Sequence, residues 1–421
     1  MTSMTSLMPA AKPERLPGSL FGGIDTHKNT HHVAVVDGVG RPVADREFAT
    51  TPTGYTEIVA FFHAHGAIEQ VGVEGTGSYG AGISRVLSAA GFTVMEIARP
   101  NRRHRRLKGK SDPIDAHQAA LAAIAGTEAA IPKRGDGVVE SLRILMSERH
   151  SAVKARSQAM NQIHGLLITA PDQVRQDYRA LGGEKLVDVL SRSRPAPGVD
   201  PTMVARHTLK RLAIRHTLLR DEIAVINNQL DTLIRILNPG LLALSGVGVV
   251  TAATLLTAAG DNPERLASAA AFAALCGAAP IPASSGQRVR HRLSRGGNRK
   301  ANSALHRIVL LRMRHQEPRT AAYFARRRAE GLSDRDIVRC LKRHIANEVF
   351  RTLISPIPAT PAGDLLRQRR QALGIPITTL AATLEIPYQR LRRLEIGTRG
   401  DTKLEQQAHH ALDQISSRKA A

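Results

Sequence analysis

Two apolar runs that each end in an acid set the pattern of the first hundred residues. Leu20-Phe21-Gly22-Gly23-Ile24 leads into Asp25, and Val71-Gly72-Val73 leads into Glu74. Runs this short and this apolar predict buried strands with a carboxylate at each end. The surrounding pattern predicts strands over 21–25, 32–36 and 42–48, with a hairpin signal at Asp37-Gly38-Val39-Gly40. A helical period over 54–65 carries Ile58, Phe61 and Phe62. Then come the strand ending at Glu74, a helix over 79–90, a strand over 92–98 and a helix opened by Asp112. The order is β-β-β-α-β-α-β-α.

That order matches a ribonuclease-H-like fold, in which three antiparallel strands are extended by parallel strands joined through crossover helices. It predicts Asp25 centrally on the first strand, Glu74 beside it and the last helix over both. Asp112 and Asp115 sit three apart in Lys110-Ser111-Asp112-Pro113-Ile114-Asp115-Ala116 and share a helix face. Read singly, the acids have plainer roles. Asp112 before Pro113 reads as an N-cap, and Asp115 as a first-turn acid favoured by the helix dipole. Read together, four gathered carboxylates repel as anions, and divalent cations relieve that repulsion. An all-oxygen site suits Mg²⁺. Two such ions would clamp the attacking and leaving oxygens of a phosphodiester.

Beyond residue 137 the period changes to alternating threes and fours. One seam runs Val139, Leu142, Met146, Arg149, Val153, Arg156, Met160, Ile163, Leu167. A second runs Leu212, Leu219, Ile223, Ile226, Leu230, Leu233, Leu237. These heptads predict a coiled-coil region over 137–240, with 171–201 as a connecting excursion. They fit a helix pair within the chain and equally an arm that pairs subunits or touches RNA. Arg149 and Arg156 on the first seam call for acidic partners or phosphates. Leu244-Ser245-Gly246-Val247-Gly248-Val249 before an Ala-rich helix resembles a helix-hairpin-helix turn, whose glycines let backbone amides reach a phosphate.

Composition adds a partner. The chain of 421 residues has room for several domains and carries 59 Lys+Arg against 36 Asp+Glu, a formal +23. Such a charge implies a polyanion. With 3% aromatic residues and no Trp, contact runs through Arg and Lys to phosphate rather than through base stacking. The densest run, over 99–110, includes Arg102, Arg103, Arg105, Arg106, Lys108 and Lys110. It leads straight into the acidic helix, where a nucleic-acid backbone has to pass. Cys276 and Cys340 lie far apart and give neither a disulfide framework nor zinc spacing, as expected in a reducing cytoplasm. Residues 1–18 lack the apolar core of a signal peptide and are expected to be disordered. No apolar run is long enough to span a membrane.

Three stretches carry a family resemblance. Gly23-Ile24-Asp25-Thr26-His27-Lys28, Glu74-Gly75-Thr76-Gly77-Ser78-Tyr79 and the stretch from Lys110 to Ala116 resemble, in order and spacing, the signatures of the DEDD transposases of the IS-one-ten insertion-sequence family. The resemblance covers most of the chain, residues 20–350. It implies a RuvC-like domain over 19–130, in which Asp25, Glu74, Asp112 and Asp115 hold Mg²⁺, and a C-terminal transposase domain over 241–350. In the loop from Gly277 to Gly286 it makes Ser285 the nucleophile by motif position, with Ser284 as the neighbouring alternative. Arg288, Arg290, Arg292, Arg295 and Arg299 follow, and guanidiniums there would stabilise charge on phosphoryl oxygens. Without the resemblance, this loop reads as a Ser-Gly turn before a solvated basic stretch. The resemblance further implies dimers or tetramers, double-stranded donor and target DNA, and target choice by base pairing with a structured bridge RNA.

A Pro-rich linker over 355–362 precedes the tail, 363–421. The tail resembles a Cro/repressor-type helix-turn-helix, with Arg390, Arg392 and Arg393 on the candidate recognition helix. A plain helical bundle with a basic face is its other reading. The whole is expected to be α/β plus α: a RuvC-like domain, a helical middle, a helical transposase domain and an appended helix-turn-helix. Its expected activity is cutting and rejoining DNA through a phosphoserine intermediate. A RuvC-like junction endonuclease using metal-activated water is the second reading. A non-enzymatic DNA-binding regulator is the third.

Overall fold

Alternation along two neighbouring strands organises the amino-terminal part of the protein. The computed structural model describes residues 18–97, 111–126, 129–283, 291–293, 296–356, 361–398 and 400–420, and these fall into two units, Met1–Asp136 and Gly137–Ala421. The first unit holds a six-stranded sheet of order β3-β2-β1-β4-β5-β6. Its strands are β1 (Leu20–Thr26), β2 (Thr30–Asp37), β3 (Pro42–Ala49), β4 (Ile68–Glu74), β5 (Val94–Ile97) and β6 (Ala129–Ala130). β1 pairs antiparallel with β2 and parallel with β4, so the order expected from the sequence is the one found.

The helices of this unit are α1 (Pro52–His65), α2 (Ala81–Ala89) and α3 (Asp112–Ala125). Ile24, Val71 and Val73 point to one face of the sheet and bury against Ile58 and Phe62 of α1 and Ile83 and Leu87 of α2. The alternate residues Gly23, Asp25, Gly72 and Glu74 turn to the other face, where α3 lies. Two details depart from the sequence pattern. α2 begins at Ala81 rather than Tyr79, because 75–80 closes as a turn in which Gly80 N–H donates to Gly75 C=O at 3.1 Å. The two-residue β6 is too short to leave a pattern.

In the second unit, α4 (Val138–Thr169) and α7 (Pro201–Leu237) lie antiparallel, with α5 (Asp172–Tyr178) and α6 (Gly183–Arg192) between them in the chain. Leu142 packs with Ile226, Leu230 and Ile234 at one end, and Ile163 with Leu209 and Ala213 at the other. Between these ends the seam is small and polar. Ala152 and Ala159 are the buried residues where the sequence pattern points to Val153 and Met160, and small side chains let the helices approach. Arg149 Nε donates to Asn227 Oδ1 at 2.7 Å, and no carboxylate pairs with it among the described residues. Burial and the nearby Arg156 and Arg307 hold its pKa below the usual value.

The rest of this unit is α8 (Pro239–Ala243), α9 (Val249–Ala259), α10 (Ala269–Leu275), the ribbon β7 (Pro280–Pro282) with β8 (His291–Leu293), α11 (Arg299–Arg314), α12 (Pro318–Ala329) and α13 (Asp334–Ile354). The tail folds as α14 (Pro361–Ala372), α15 (Ile377–Thr383), α16 (Tyr388–Ile396) and α17 (Thr402–Ala420) around Leu366, Leu380, Leu391, Leu404 and Leu412. Among the described residues no helix is long and apolar enough to cross a membrane.

One buried ion pair fixes the tail. Arg370 donates to both carboxylate oxygens of Glu395, at 2.6 and 2.9 Å, and to the Ile375 carbonyl at 2.7 Å. Glu395→Ala strands the guanidinium and is expected to cost about 3–5 kcal/mol. Hydrogen exchange across the tail helices checks this, and a compensating Arg370→Met should recover most of the protection.

Candidate functional site

The acidic site is assembled by two glycines. A Cβ on Gly23 would lie 2.1 Å from the Ala116 carbonyl oxygen, and one on Gly72 would lie 2.3 Å from that of Ala119. With hydrogen in those positions, α3 rests directly on β1 and β4. Its contact face is alanine: Ala116, Ala119, Ala120 and Ala123 are all buried. The same alternation that turns Gly23 and Gly72 to the helix turns Asp25 and Glu74 to it two residues later. The parallel register pairs Ile24 with Val73, so Asp25 and Glu74 end neighbouring strands side by side. Thr26 Oγ1 donates to the Glu74 carbonyl at 3.0 Å and ties those ends together.

The start of α3 completes the group. Ser111 takes the N-cap position, and Asp112 is the first helical residue rather than the cap. His27 Nδ1 lies 3.8 Å from Asp25 Oδ2 and 3.8 Å from Asp112 Oδ2. One ligand atom each from Asp25, His27 and Asp112 falls within 4.8 Å of the others, a spacing that suits a metal ion. Asp25, Glu74 and Asp115 are 6%, 8% and 3% exposed, so three carboxylates are held away from water. Asp25 Oδ2 accepts no hydrogen bond among the described residues. A buried carboxylate oxygen facing other acids fits a cation.

The electrostatics agree. Burial raises the Asp25 pKa above the ordinary carboxylate value; His27 opposes the rise, and Asp115 and Asp112 add to it. A raised folded-state pKa gives stability that is present below the unfolded value and lost as pH rises through the folded one. In EDTA, the melting temperature of the wild type minus that of Asp25→Asn is therefore expected to fall as pH climbs through this window. A divalent ion should reverse the trend, because it needs the ionised form.

Sequence pattern points to the acids and misses His27. Its signal is its place two residues beyond Asp25, where alternation returns a side chain to the same side.

Other sequence candidates fall differently. Arg102, Arg103, Arg105, Arg106, Lys108, Lys110, Ser284, Ser285, Arg288, Arg290 and Arg295 lie outside the described residues. The two strands that flank the serine segment pair with each other, Pro282 opposite His291 and Ile281 opposite Arg292. Arg299 is exposed at the start of α11. On α16, Arg390 pairs with Asp401 at 2.9 Å, and Arg393 is exposed. Arg392 instead donates to the Val247 carbonyl, and Gln389 Nε2 to Ser245 Oγ at 3.3 Å. Part of the candidate recognition helix thus grips the Gly246-Val247-Gly248 turn of its own chain.

Comparison with known proteins bears on both units. Residues 22–170 match the family model DEDD_Tnp_IS110, described as a transposase. Residues 239–325 match the model described as Transposase IS116/IS110/IS902 family, and the two matches together span more than half of the chain. The uncharacterized 43.6 kDa protein of insertion element IS110 from Streptomyces coelicolor is 24% identical over 381 residues, covering 79% of this chain and 94% of its own length. The uncharacterized 42 kDa protein of insertion element IS900 from Mycobacterium paratuberculosis is 24% identical over 383 residues, covering 79% and 95%.

Proposed function

This chain belongs to the IS110 family of transposases, and from that premise we propose that it cuts and rejoins DNA through a covalent serine link at a metal-dependent carboxylate site. The observation that carries the reading is the gathering of His27, Asp112 and Asp115 around Asp25 at the end of the central strand. Asp25, Glu74, Asp112 and Asp115 would hold Mg²⁺, as two ions. Bound there, such ions polarise a phosphodiester and offset charge on its attacking and leaving oxygens.

The nucleophile is Ser285. Its oxygen bonds to phosphorus as the bond from phosphorus to one deoxyribose oxygen breaks, and that strand end leaves as a hydroxyl. A second DNA hydroxyl then attacks the same phosphorus and releases the serine. One phosphodiester is lost and one regained, so rejoining needs no outside energy source. Arg288, Arg290, Arg292, Arg295 and Arg299 would balance charge on the phosphoryl oxygens. The run from Arg102 to Lys110 would follow the strand backbone.

Donor and target choice would come from base pairing with a structured bridge RNA. A formal charge of +23 with 3% aromatic residues suits a protein that grips backbones and leaves sequence to a guide. The working form would be a dimer or tetramer, through the helical region 137–240, and a DNA contact by the tail would fall to the exposed Arg393, since Arg392 and Gln389 are engaged within the chain.

The test is recombination in a purified system of the protein, its flanking noncoding RNA, and donor and target duplexes with Mg²⁺. Recombinant junctions that require the RNA and vanish in Ser285→Ala support the reading. Strand cleavage that persists unchanged in Ser285→Ala would instead assign a metal-activated water.

A further inference from the structure

We propose that the cavity between β7, α12 and α13 is a phosphodiester site, which takes one nucleotide of a DNA strand with its phosphate on Lys342 and Arg343. The inference deepens the function proposed above and rests on the reading that the serine segment works on DNA. The cavity has a volume of about 400 Å³, room for a nucleotide. Ala278, Ala279, Pro280 and the Tyr323 ring give it an apolar floor on which a base can lie. Arg339, Lys342 and Arg343 supply its charge.

Lys342 is the telling residue. It is 7% exposed, and its Nζ donates to Asn302 Oδ1 at 3.1 Å. Among the described residues no carboxylate pairs with it. An ammonium taken out of water with no anion is unfavourable, and a phosphate oxygen supplies one. The acid on the cavity wall, Asp336, is already engaged by Arg339 at 2.7 Å and by Ser333 Oγ at 2.6 Å. Arg339 and Asp336 therefore offset each other, and Lys342 and Arg343 are left with no acid among the residues that line the cavity.

The network also reaches the serine segment. Asn302 Nδ2 donates to the carbonyls of Cys276 at 2.8 Å and Gly277 at 3.0 Å, the turn just before β7. β7 leads in the chain to Ser285. The amide that holds Lys342 thus also braces the backbone from which the serine segment departs.

The test is equilibrium binding of the full chain to a short fluorescein-labelled single-stranded DNA in EDTA, across a salt series. Lys342→Met is expected to weaken binding about tenfold and to reduce the salt slope by about the share of one phosphate. Its melting temperature should hold or rise, because an unpaired buried charge is gone. Lys342→Arg should keep the slope. Unchanged affinity and slope in Lys342→Met overturn the proposal, as does a loss seen only with an RNA of the same sequence. If Lys342→Met fails to fold, Arg343→Gln carries the same slope measurement, with the same two outcomes. No chemistry occurs in EDTA, so the two readings separate. A Lys342-dependent slope without any Ser285 adduct sinks the mechanism and leaves the cavity standing; the reverse pattern sinks only the cavity.

Discussion

Asp25→Asn is expected to lower strand cleavage at least about a thousandfold, which corresponds to roughly 4 kcal/mol of lost transition-state stabilisation. The variant keeps shape and volume but removes the charge at the centre of the acidic group. It should not unfold the protein. Burial already disfavours the ionised Asp25, and Asp112 and Asp115 disfavour it further. Taking that charge away leaves the metal-free fold as stable as before or more so. Single-turnover cleavage beside a melting curve in EDTA separates the two effects. Loss of cleavage with an undiminished melting temperature is the expected pair. A wild-type rate would remove Asp25 from the chemistry.

Gly23→Ala is expected to destabilise the first unit by about 3 kcal/mol, at the upper end of the usual cost of overpacking. The new methyl would meet the Ala116 carbonyl oxygen at 2.1 Å and the Ala120 nitrogen at 2.3 Å. These are backbone atoms of α3 and have no rotamer to escape into. The helix has to lift, and Asp112 and Asp115 lift with it. The variant should therefore lose the stabilisation by divalent ions along with its own stability. Gly72→Ala should behave alike, since its methyl would lie 2.3 Å from the Ala119 carbonyl oxygen. Gly77→Ala is the control: nothing lies within 4 Å of a Cβ there, and it should melt like the wild type. Chemical denaturation with and without a divalent ion reads all three.

These two results depend on features that differ in how openly the sequence shows them. The strand ends at Asp25 and Glu74 were legible, because an apolar run closed by an acid has few other meanings. The pairing of β1 with β2 and β4 is legible through the match of the element order to a ribonuclease-H-like fold. Gly23 and Gly72 were visible, but their role was not: a strand glycine can mark a bulge, a weak point or a close approach, and only the seated helix decides. His27 hid because its partners, Asp25 and Asp112, are distant from each other in the chain. On α4 pattern counting favours the larger Val153 and Met160, one position from the buried Ala152 and Ala159. Arg392 reads as a DNA contact from its neighbours, yet in the fold it caps the Val247 carbonyl. Local pattern carries no record of what a helix face will meet from 145 positions away.

The most direct test of the central claim is mass spectrometry of the protein after reaction with donor DNA and Mg²⁺, quenched in denaturant and digested. The account predicts a nucleotide covalently held on the peptide that contains Ser285, absent when EDTA replaces the metal and absent in Asp25→Asn. Cleaved DNA with no nucleotide on that peptide, at equal yield in Ser285→Ala, would contradict it.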